Sequence, residues 1–558
     1  MCGFMRVIKT LLVLFMIMAY VRGLFVPIMN NNAAHHANIA LHMYLTGDYV
    51  NLIDQGHDYL DKPHLLFWLA AAGYHLFGVT SFAYKFFSFL FVILGVYSTY
   101  QLGRLMVDRR TGIYASLILS SAFAFILSAN DVRMDALVVS CIAFASWQLL
   151  EYFFAYKRFS LALGALGLAL GFSTKGMIAI ALPLMLVVFY FVQQQKFSEL
   201  FTLRWVPLAL ITALLVIPVF YCFYLQFDLH PEKVVRGVRG NSGVQFLLFG
   251  QSIQRYTGSG WGERSSDPFF LLHTFLWAFL PWCLLAYMTL FKNVREWFRL
   301  KFRCNGYTEV ALTATLVIVF LVISFSRFKN AHYVNILFPY FAVLVARYLT
   351  TANASKLHSI FQLQVGISAL LMVIITALNM WAFPFKHFYI IAGAATIFLL
   401  FIYVVLDRTM KMLSKLVWGS FAAMAYTFFL LNFNFYPQLL LYQSGHEMAK
   451  RVKKEKISPA QIYYLDDGSG KNYSLEFSLG TLLPVTSIDS LKRVTIPVYL
   501  FALPSHLESL RQREVAFDII IQQHHYNVTT LKASFLNPAT RQQQLQLHYI
   551  IKVDGSSE

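Results

Sequence analysis

Charge is scarce in this chain, and acid is scarcer than base. Only 13% of its 558 residues are Asp, Glu, Lys or Arg, against 58% hydrophobic ones. A soluble protein of this length has no interior large enough to hide so much apolar surface. The composition therefore excludes a soluble enzyme and requires a polytopic membrane protein. Cysteine is also rare. Cys2, Cys141, Cys222, Cys283 and Cys304 show no metal-ligand spacing, and most lie in or beside apolar runs. That excludes a disulfide framework and a zinc site. Internal repeats and low-complexity segments are lacking, as are the paired Gly/Pro-broken helices that transporters use at the midplane. Asp and Glu number 27 against 45 Lys and Arg, a net charge of +18. In a soluble protein such an excess suits nucleic acid. Here the cations fall in short loops between apolar runs, so topology and anionic lipid account for them, and no nucleic-acid partner is expected.

What is present is a series of apolar runs. Thirteen spanning helices are expected, at roughly 8–28, 83–103, 111–129, 135–155, 159–173, 177–193, 205–225, 268–291, 309–326, 331–349, 357–381, 386–406 and 416–436. The first lacks a small-x-small cleavage site and reads as a retained anchor. With Arg6 and Lys9 in the cytoplasm, the basic loops fall in phase on the inner side. Loops 29–82 and 226–267 then face outward, as does everything after 436. The expected class is an all-α polytopic membrane protein with a small soluble α/β domain. Residues 1–436 form the expected membrane domain, and 437–558 a soluble tail on the outer side. In that tail, 444–456 and 505–513 read as helices, and 461–465, 497–502 and 518–523 as strands. Asp466, Asp467 and Gly468 read as a turn, and His524 and His525 as surface residues.

The outer loops hold the polar residues that need a reason. Asp48, Asp54, Asp58 and Asp61 crowd the first loop, with Lys62 beside Asp61, and Pro63 excludes helix for the residue before it. An aromatic segment at 65–78 follows, too short to cross a bilayer. Asn130-Asp131-Val132-Arg133-Met134-Asp135 opens directly into an apolar run, where an ionisable group is costly and marks a functional site. Ser173-Thr174-Lys175-Gly176 places a lysine between two spans. Arg255 lies in the second long loop, and Lys329, His332 and Tyr333 stand at the mouth of a later span. One membrane face thus presents carboxylates (Asp58, Asp61, Asp131, Asp135) and cations (Lys62, Arg133, Arg255, Lys329). That pairing suits a phosphate-bearing lipid substrate: cations hold the leaving phosphate while a carboxylate accepts a proton from an incoming hydroxyl. Trp68, Tyr256 and Trp261 fit sugar stacking, or equally an interface belt.

These motifs, in this order, resemble the GT-C membrane glycosyltransferases, specifically the 4-amino-4-deoxy-L-arabinose lipid A transferase and protein O-mannosyltransferase group. Leu60-Asp61-Lys62-Pro63-His64-Leu65-Leu66-Phe67-Trp68 is similar to that family's acidic-Lys-Pro-Pro-Leu-Leu-aromatic-Trp motif. Arg133-Met134-Asp135 resembles its Arg-x-Asp, Thr174-Lys175-Gly176 its Thr-Lys-Gly turn, and Leu280-Pro281-Trp282 its Leu-Pro-Trp. Residues 251–256 keep Arg255 of its Glu-His-x-x-Arg-Phe, and 329–339 resemble its Lys-x-x-His-Tyr…Pro segment. The resemblance implies inverting transfer of a sugar from a polyprenyl-phosphate donor to a glycolipid, glycan or protein acceptor on the outer face. It implies that Lys62, Arg255 and Tyr333 hold the donor phosphate, with Arg133, Lys175, Lys329 and His332 around them. Asp135 and Asp61 would be the site carboxylates. No cofactor is implied, although Asp61 and Asp135 leave a divalent cation open.

One departure bears on chemistry. The family carries Asp-Glu just before its Ala-x-Ile-Ala segment, and that Asp is the expected base. Here Ala37-Asn38-Ile39-Ala40 is kept, but the pair falls on Asn32 and Ala33. An amide accepts no proton as a base. Asp135 or Asp61 takes the role, or a neighbouring histidine (His35 or His36) does. Otherwise the chain is a non-catalytic relative that binds polyprenyl-phosphate lipid or a partner enzyme.

Overall fold

The computed structural model describes residues 2–235, 237–257, 267–300, 309–466, 471–491 and 496–554. Trp261, Cys304, Asp467 and Gly468 therefore lie outside the described residues. The membrane part begins with α1 (Cys2–Leu24), α2 (Asn32–Thr46), α3 (Leu65–Phe77), α4 (Ser81–Met106) and α5 (Arg109–Ser120). It continues with α6 (Phe123–Asn130), α7 (Asp135–Phe154), α8 (Phe159–Lys175), α9 (Ile178–Gln193) and α10 (Trp205–Phe223). Among the described residues eight helices are long and apolar enough to cross a membrane, or nine if α5 and α6, bent by 56°, count as one. The shorter apolar helices α8, α9 and Ala311–Phe325 occupy other expected spans.

The expectation of continuous spans fails at two places. The third span breaks between α5 and α6, and the eighth breaks into Phe270–Ala278 and Cys283–Arg299. The two breaks meet. Phe123 N–H donates to Leu280 O at 3.0 Å, and Trp282 Nε1 to Ser121 Oγ at 3.0 Å. Backbone freed inside an apolar layer must find a partner, and each break supplies the other's.

Helix α7 is buried along nearly its whole length, from Asp135 to Phe153. It packs between α4 and α8. Small residues set the spacing: a Cβ added at Gly95 of α4 would lie 2.4 Å from Ser140 Oγ of α7. Close helix approach inside a membrane depends on such positions, because lipid supplies no hydrophobic drive to hold helices together. Helix α2 does not span. Asn31 caps its start, accepting from Ala33 N–H at 2.7 Å, and Gly47 ends it at φ +72°.

The last helical run extends over Met412–Tyr442, past the end expected at 436. Pro437 falls in the first turn of a fresh helical segment, where its missing N–H costs nothing, so it does not stop the run. Gln443 then bridges back to the chain start, donating to Ile28 O at 2.8 Å and accepting from Asn30 N–H at 2.6 Å.

The tail holds β1 (Ile462–Leu465), β2 (Val485–Thr486), β3 (Val498–Ala502), β4 (Asp518–His525) and β5 (Gln546–Val553), in sheet order β2-β1-β3-β5-β4. β1 runs parallel to β2 and β3, while β5 is antiparallel to β3 and β4. The expected helices appear as Ser444–Lys454 and Pro504–Gln512. Strand β5 and helix Tyr473–Leu479 were not foreseen. His524 is exposed as expected, but His525 is half-buried. Its ring stacks on His548 at 4.1 Å, and both Nδ1 atoms face Ser444 Oγ.

Candidate active site

Helix ends bring the first opposite charges together. Asp135 is the first residue of α7 and Lys175 the last of α8. A helix start favours an anion and a helix end a cation, so the two antiparallel neighbours carry complementary charges at one level. Lys175 Nζ donates to Asp135 Oδ1 at 2.8 Å, with both side chains buried. Lys175 therefore does not snorkel to the interface. Gly176 follows at φ +73°, a conformation that side chains rarely adopt, and turns the chain immediately after the lysine.

The first loop meets the second over this pair. Asp61 lies 3.9 Å from Arg255 Nη2 and 4.0 Å from Lys62 Nζ. The Gln251 amide donates to the Asp61 carbonyl. Arg255 Nη1 donates to Tyr333 OH at 3.0 Å, and Phe328 N–H and Ser326 Oγ donate to Arg255 O at 3.0 and 2.9 Å. The turn before Tyr333 is thereby tied to helix Gln251–Thr257. Lys175 Nζ also stands 5.2 Å from the centre of the Tyr333 ring, within cation–π range. Burial, helped by the positive charge of Arg255, lowers the Lys62 ammonium to about 7.

Beside this cluster, Arg133 binds Asp131 through Nε and Nη2 at 3.2 and 2.9 Å. Asn31 donates to the same carboxylate at 3.2 Å. His332 lies within electrostatic reach of Asp135, Lys175, Arg133 and Lys62, and His36 within reach of Lys62, Arg133 and Asp61. A cleft of about 140 Å³ opens from Lys175, Arg255 and Tyr333 onto Ile178, Val322 and Ile336. Its head is cationic and its walls are apolar.

The structure thus gathers Asp61, Lys62, Asp135, Lys175, Arg255 and Tyr333, with Arg133, His332 and His36 at the margin. Lys329 is directed elsewhere, donating to Asp267 O at 2.7 Å. Asn32 sits exposed in the first turn of α2, and its neighbour Asn31 makes the contact to Asp131. The acids of the first loop already have partners. Asp48 accepts from Val50 and Asn51 N–H, Asp54 holds His35 at 2.8 Å, and Asp58 binds Gln226 and Lys233. Among the described residues no three His, Cys, Asp or Glu group so as to hold a metal. Asp61 faces Lys62 and Arg255, and Asp135 faces Lys175.

Sequence reasoning missed the bonds that Gln226 and Gln251 make to the first loop, and the helix through which the tail docks. Helix Tyr473–Leu479 docks on α2. Asn38 donates to Glu476 Oε2 and to Tyr473 O, each at 3.0 Å, and Ser474 N–H donates to Asn30 Oδ1 at 3.1 Å.

Residues 61–222 match the family model described as dolichyl-phosphate-mannose-protein mannosyltransferase. The fold is that of ArnT from Cupriavidus metallidurans, solved bound to undecaprenyl phosphate, with a TM-score of 0.74, 18% identity and coverage of 98% and 99% of the two chains. The fold is thus of the ArnT-like GT-C type, the fold that the ordered motifs lead one to expect. The chain is 26% identical over 346 residues to undecaprenyl phosphate-alpha-4-amino-4-deoxy-L-arabinose arabinosyl transferase 2 of Sodalis glossinidius, covering 61% of this chain and 59% of that one. It is 24% identical over 428 residues to an uncharacterized protein of Aquifex aeolicus, covering 76% and 77%. The match thus spans little more than half of the named arabinosyl transferase.

Proposed function

We propose that this protein is an inverting membrane glycosyltransferase. It moves a sugar from a polyprenyl-phosphate donor to a hydroxyl of a lipid, glycan or protein on the outer, periplasmic face of a bacterial inner membrane. The observation that carries this reading is the cleft whose cationic head (Lys175, Arg255, with Tyr333) continues into an apolar wall. A phosphate on a prenyl chain has that same division. As the bond from the anomeric carbon to phosphate breaks, negative charge grows on the leaving oxygen. Lys62 and Arg255 are already fixed beside it in a partly dehydrated site, so they need no reorganisation during reaction. Asp135, holding Lys175, positions that cation and orients the acceptor. The phase of the basic loops supports a cytoplasmic N-terminus and an outward-facing tail.

The test uses the full chain in discs of native-membrane extract, which supplies acceptor hydroxyls, with a radiolabelled polyprenyl-phosphate sugar pool, and reads free polyprenyl phosphate. Release is expected in the wild type, reduced about tenfold or more in Arg255→Ala. Donor binding without release in the wild type overturns the reading.

A further inference from the structure

A groove runs along α1, away from the donor cleft. Arg6, Lys9, Val13, Ile17 and Tyr20 recur every three or four residues, so they form one stripe on that helix. The apolar part of the groove is a cleft of about 420 Å³, walled by α4 and α5 and floored by Phe421 of the last helical run. Ile17, Ile93 and Tyr97 line it and are about half exposed, so it opens sideways to lipid. Val13 also belongs to a second cleft, of about 470 Å³, lined by Arg6, Lys9 and Thr10 with Trp418. Lys9 Nζ stands 5.6 Å from the centre of the Trp418 ring. The two clefts form one path, cationic at the start of α1 and apolar beyond Val13. None of their lining residues lines the cleft at Lys175, Arg255 and Tyr333.

The path has a closed end. Tyr20 OH donates to Ser120 O at 3.0 Å, where α5 ends ahead of its break. From Val13 to Tyr20, α1 rises about 11 Å. Half of a hydrocarbon layer about 30 Å thick is about 15 Å. A chain seated from Val13 to Tyr20 thus stays within one leaflet. The open end is basic. Helix α4 runs antiparallel to α1, since Lys85 near its start donates to Gly23 O and Val26 O near the end of α1. Arg104, one turn beyond Tyr100 of the groove wall, therefore lies at the Arg6 end, and it is exposed. Arg109 and Arg110 follow at the start of α5. The acids beside these cations are engaged. Asp108 accepts from Thr111 N–H at 2.7 Å, and Asp407 from Thr409 Oγ1 at 2.7 Å.

We propose that this path is a binding site for one anionic phospholipid. Its phosphate lies against Arg6 and Lys9, its glycerol region beside Thr10 and Trp418, and one acyl chain fills the groove as far as Tyr20. Basic side chains at a lipid surface attract anionic head groups. An indole suits the level between head group and chain. In the orientation proposed above, the leaflet is the cytoplasmic one. The site stands whether or not the protein transfers sugar.

The experiment uses the full chain purified in detergent, with dioleoyl phosphatidylglycerol and dioleoyl phosphatidylcholine as probes. Native mass spectrometry counts the lipids retained. Wild type is expected to retain one phosphatidylglycerol, with affinity about tenfold or more above that for phosphatidylcholine. Arg6→Gln/Lys9→Gln loses that preference. Arg158→Gln/Lys196→Gln, which removes two exposed cations from other loops, keeps it. Ile93→Trp fills the groove from its exposed wall and loses retention of phosphatidylglycerol. Equal retention of the two lipids by wild type overturns the proposal. So does a preference that survives Arg6→Gln/Lys9→Gln, or that falls equally in Arg158→Gln/Lys196→Gln. Retention unchanged in Ile93→Trp overturns it as well, because surface charge alone would then hold the lipid.

Discussion

Asp135 Oδ1 and Lys175 Nζ lie 2.8 Å apart where the start of α7 meets the end of α8, and water reaches neither side chain freely. Each is the main neutralising partner of the other in a layer that tolerates no lone charge.

Removing one partner therefore costs more than removing both. Asp135→Asn strands a buried ammonium and is expected to cost about 3–5 kcal/mol. Asp135→Asn/Lys175→Met recovers much of that, while sugar transfer stays lost in both. Denaturant unfolding of Asp135→Asn, Lys175→Met and the double variant in lipid discs gives the coupling directly. Additive losses would show that the pair does not hold the two helices.

Lys62 makes donor binding depend on pH. Burial and the Arg255 charge bring its ammonium to about 7, with Asp61 opposing. The charge is present below that pH and is lost as pH rises through it. Affinity for polyprenyl phosphate is expected to fall above pH 7, by up to about tenfold per pH unit. Lys62→Arg keeps its charge throughout and flattens the profile. Equilibrium binding between pH 6 and 9 decides, and a wild-type profile as flat as that of the arginine variant would remove Lys62 from the donor head.

Glu476 links the tail to α2 and carries a pH term of opposite kind. Burial raises its carboxyl from 4.5 to about 7, although bonds from Leu483 N–H and Asn38 pull it down. The folded state thus holds a proton that the unfolded state has released. Docking stability declines as pH rises from about 4.5 to about 7 and is level above, a total of about 3 kcal/mol at most. Glu476→Gln should abolish the slope and protect helix Tyr473–Leu479 at pH 8. Amide exchange of that helix, corrected for intrinsic rates at each pH, measures it. An unchanged slope in the glutamine variant would place the titration elsewhere.

Much of the site was legible because its chemistry is local in sequence. Asp61-Lys62-Pro63, Arg133-Met134-Asp135 and Thr174-Lys175-Gly176 each interrupt an apolar run, and the structure brings them together. What the sequence hid was partnership. Nothing in the first loop announces that Asp58 is held by Gln226, in the helical turn after α10, and by Lys233, 168 and 175 residues away. Lys329 read as one more site cation, yet its ammonium turns to a backbone carbonyl. The break between α5 and α6 left no Pro or Gly signal, since its energetic cost is met by a second break far along the chain. Strand β5 was missed for a physical reason too. It lies between β3 and β4, buried at His548, Tyr549, Ile550 and Ile551 in succession, so it lacks the alternation that marks a half-exposed strand.

The bridge made by Gln443 has a consequence for biogenesis. Asn30, at the threshold of the first loop, waits for a partner encoded 413 residues later. Asn432 reaches back in the same way to Ala19 O at 2.7 Å and to Asn130 at 2.8 Å. At about 5–20 residues per second, a ribosome delivers that partner some tens of seconds after the first loop has left it. The loop bearing Asp61 and Lys62 must therefore pass through synthesis without its final clasp. A nascent chain that stops short of the last span would insert its helices yet leave the chemistry unassembled.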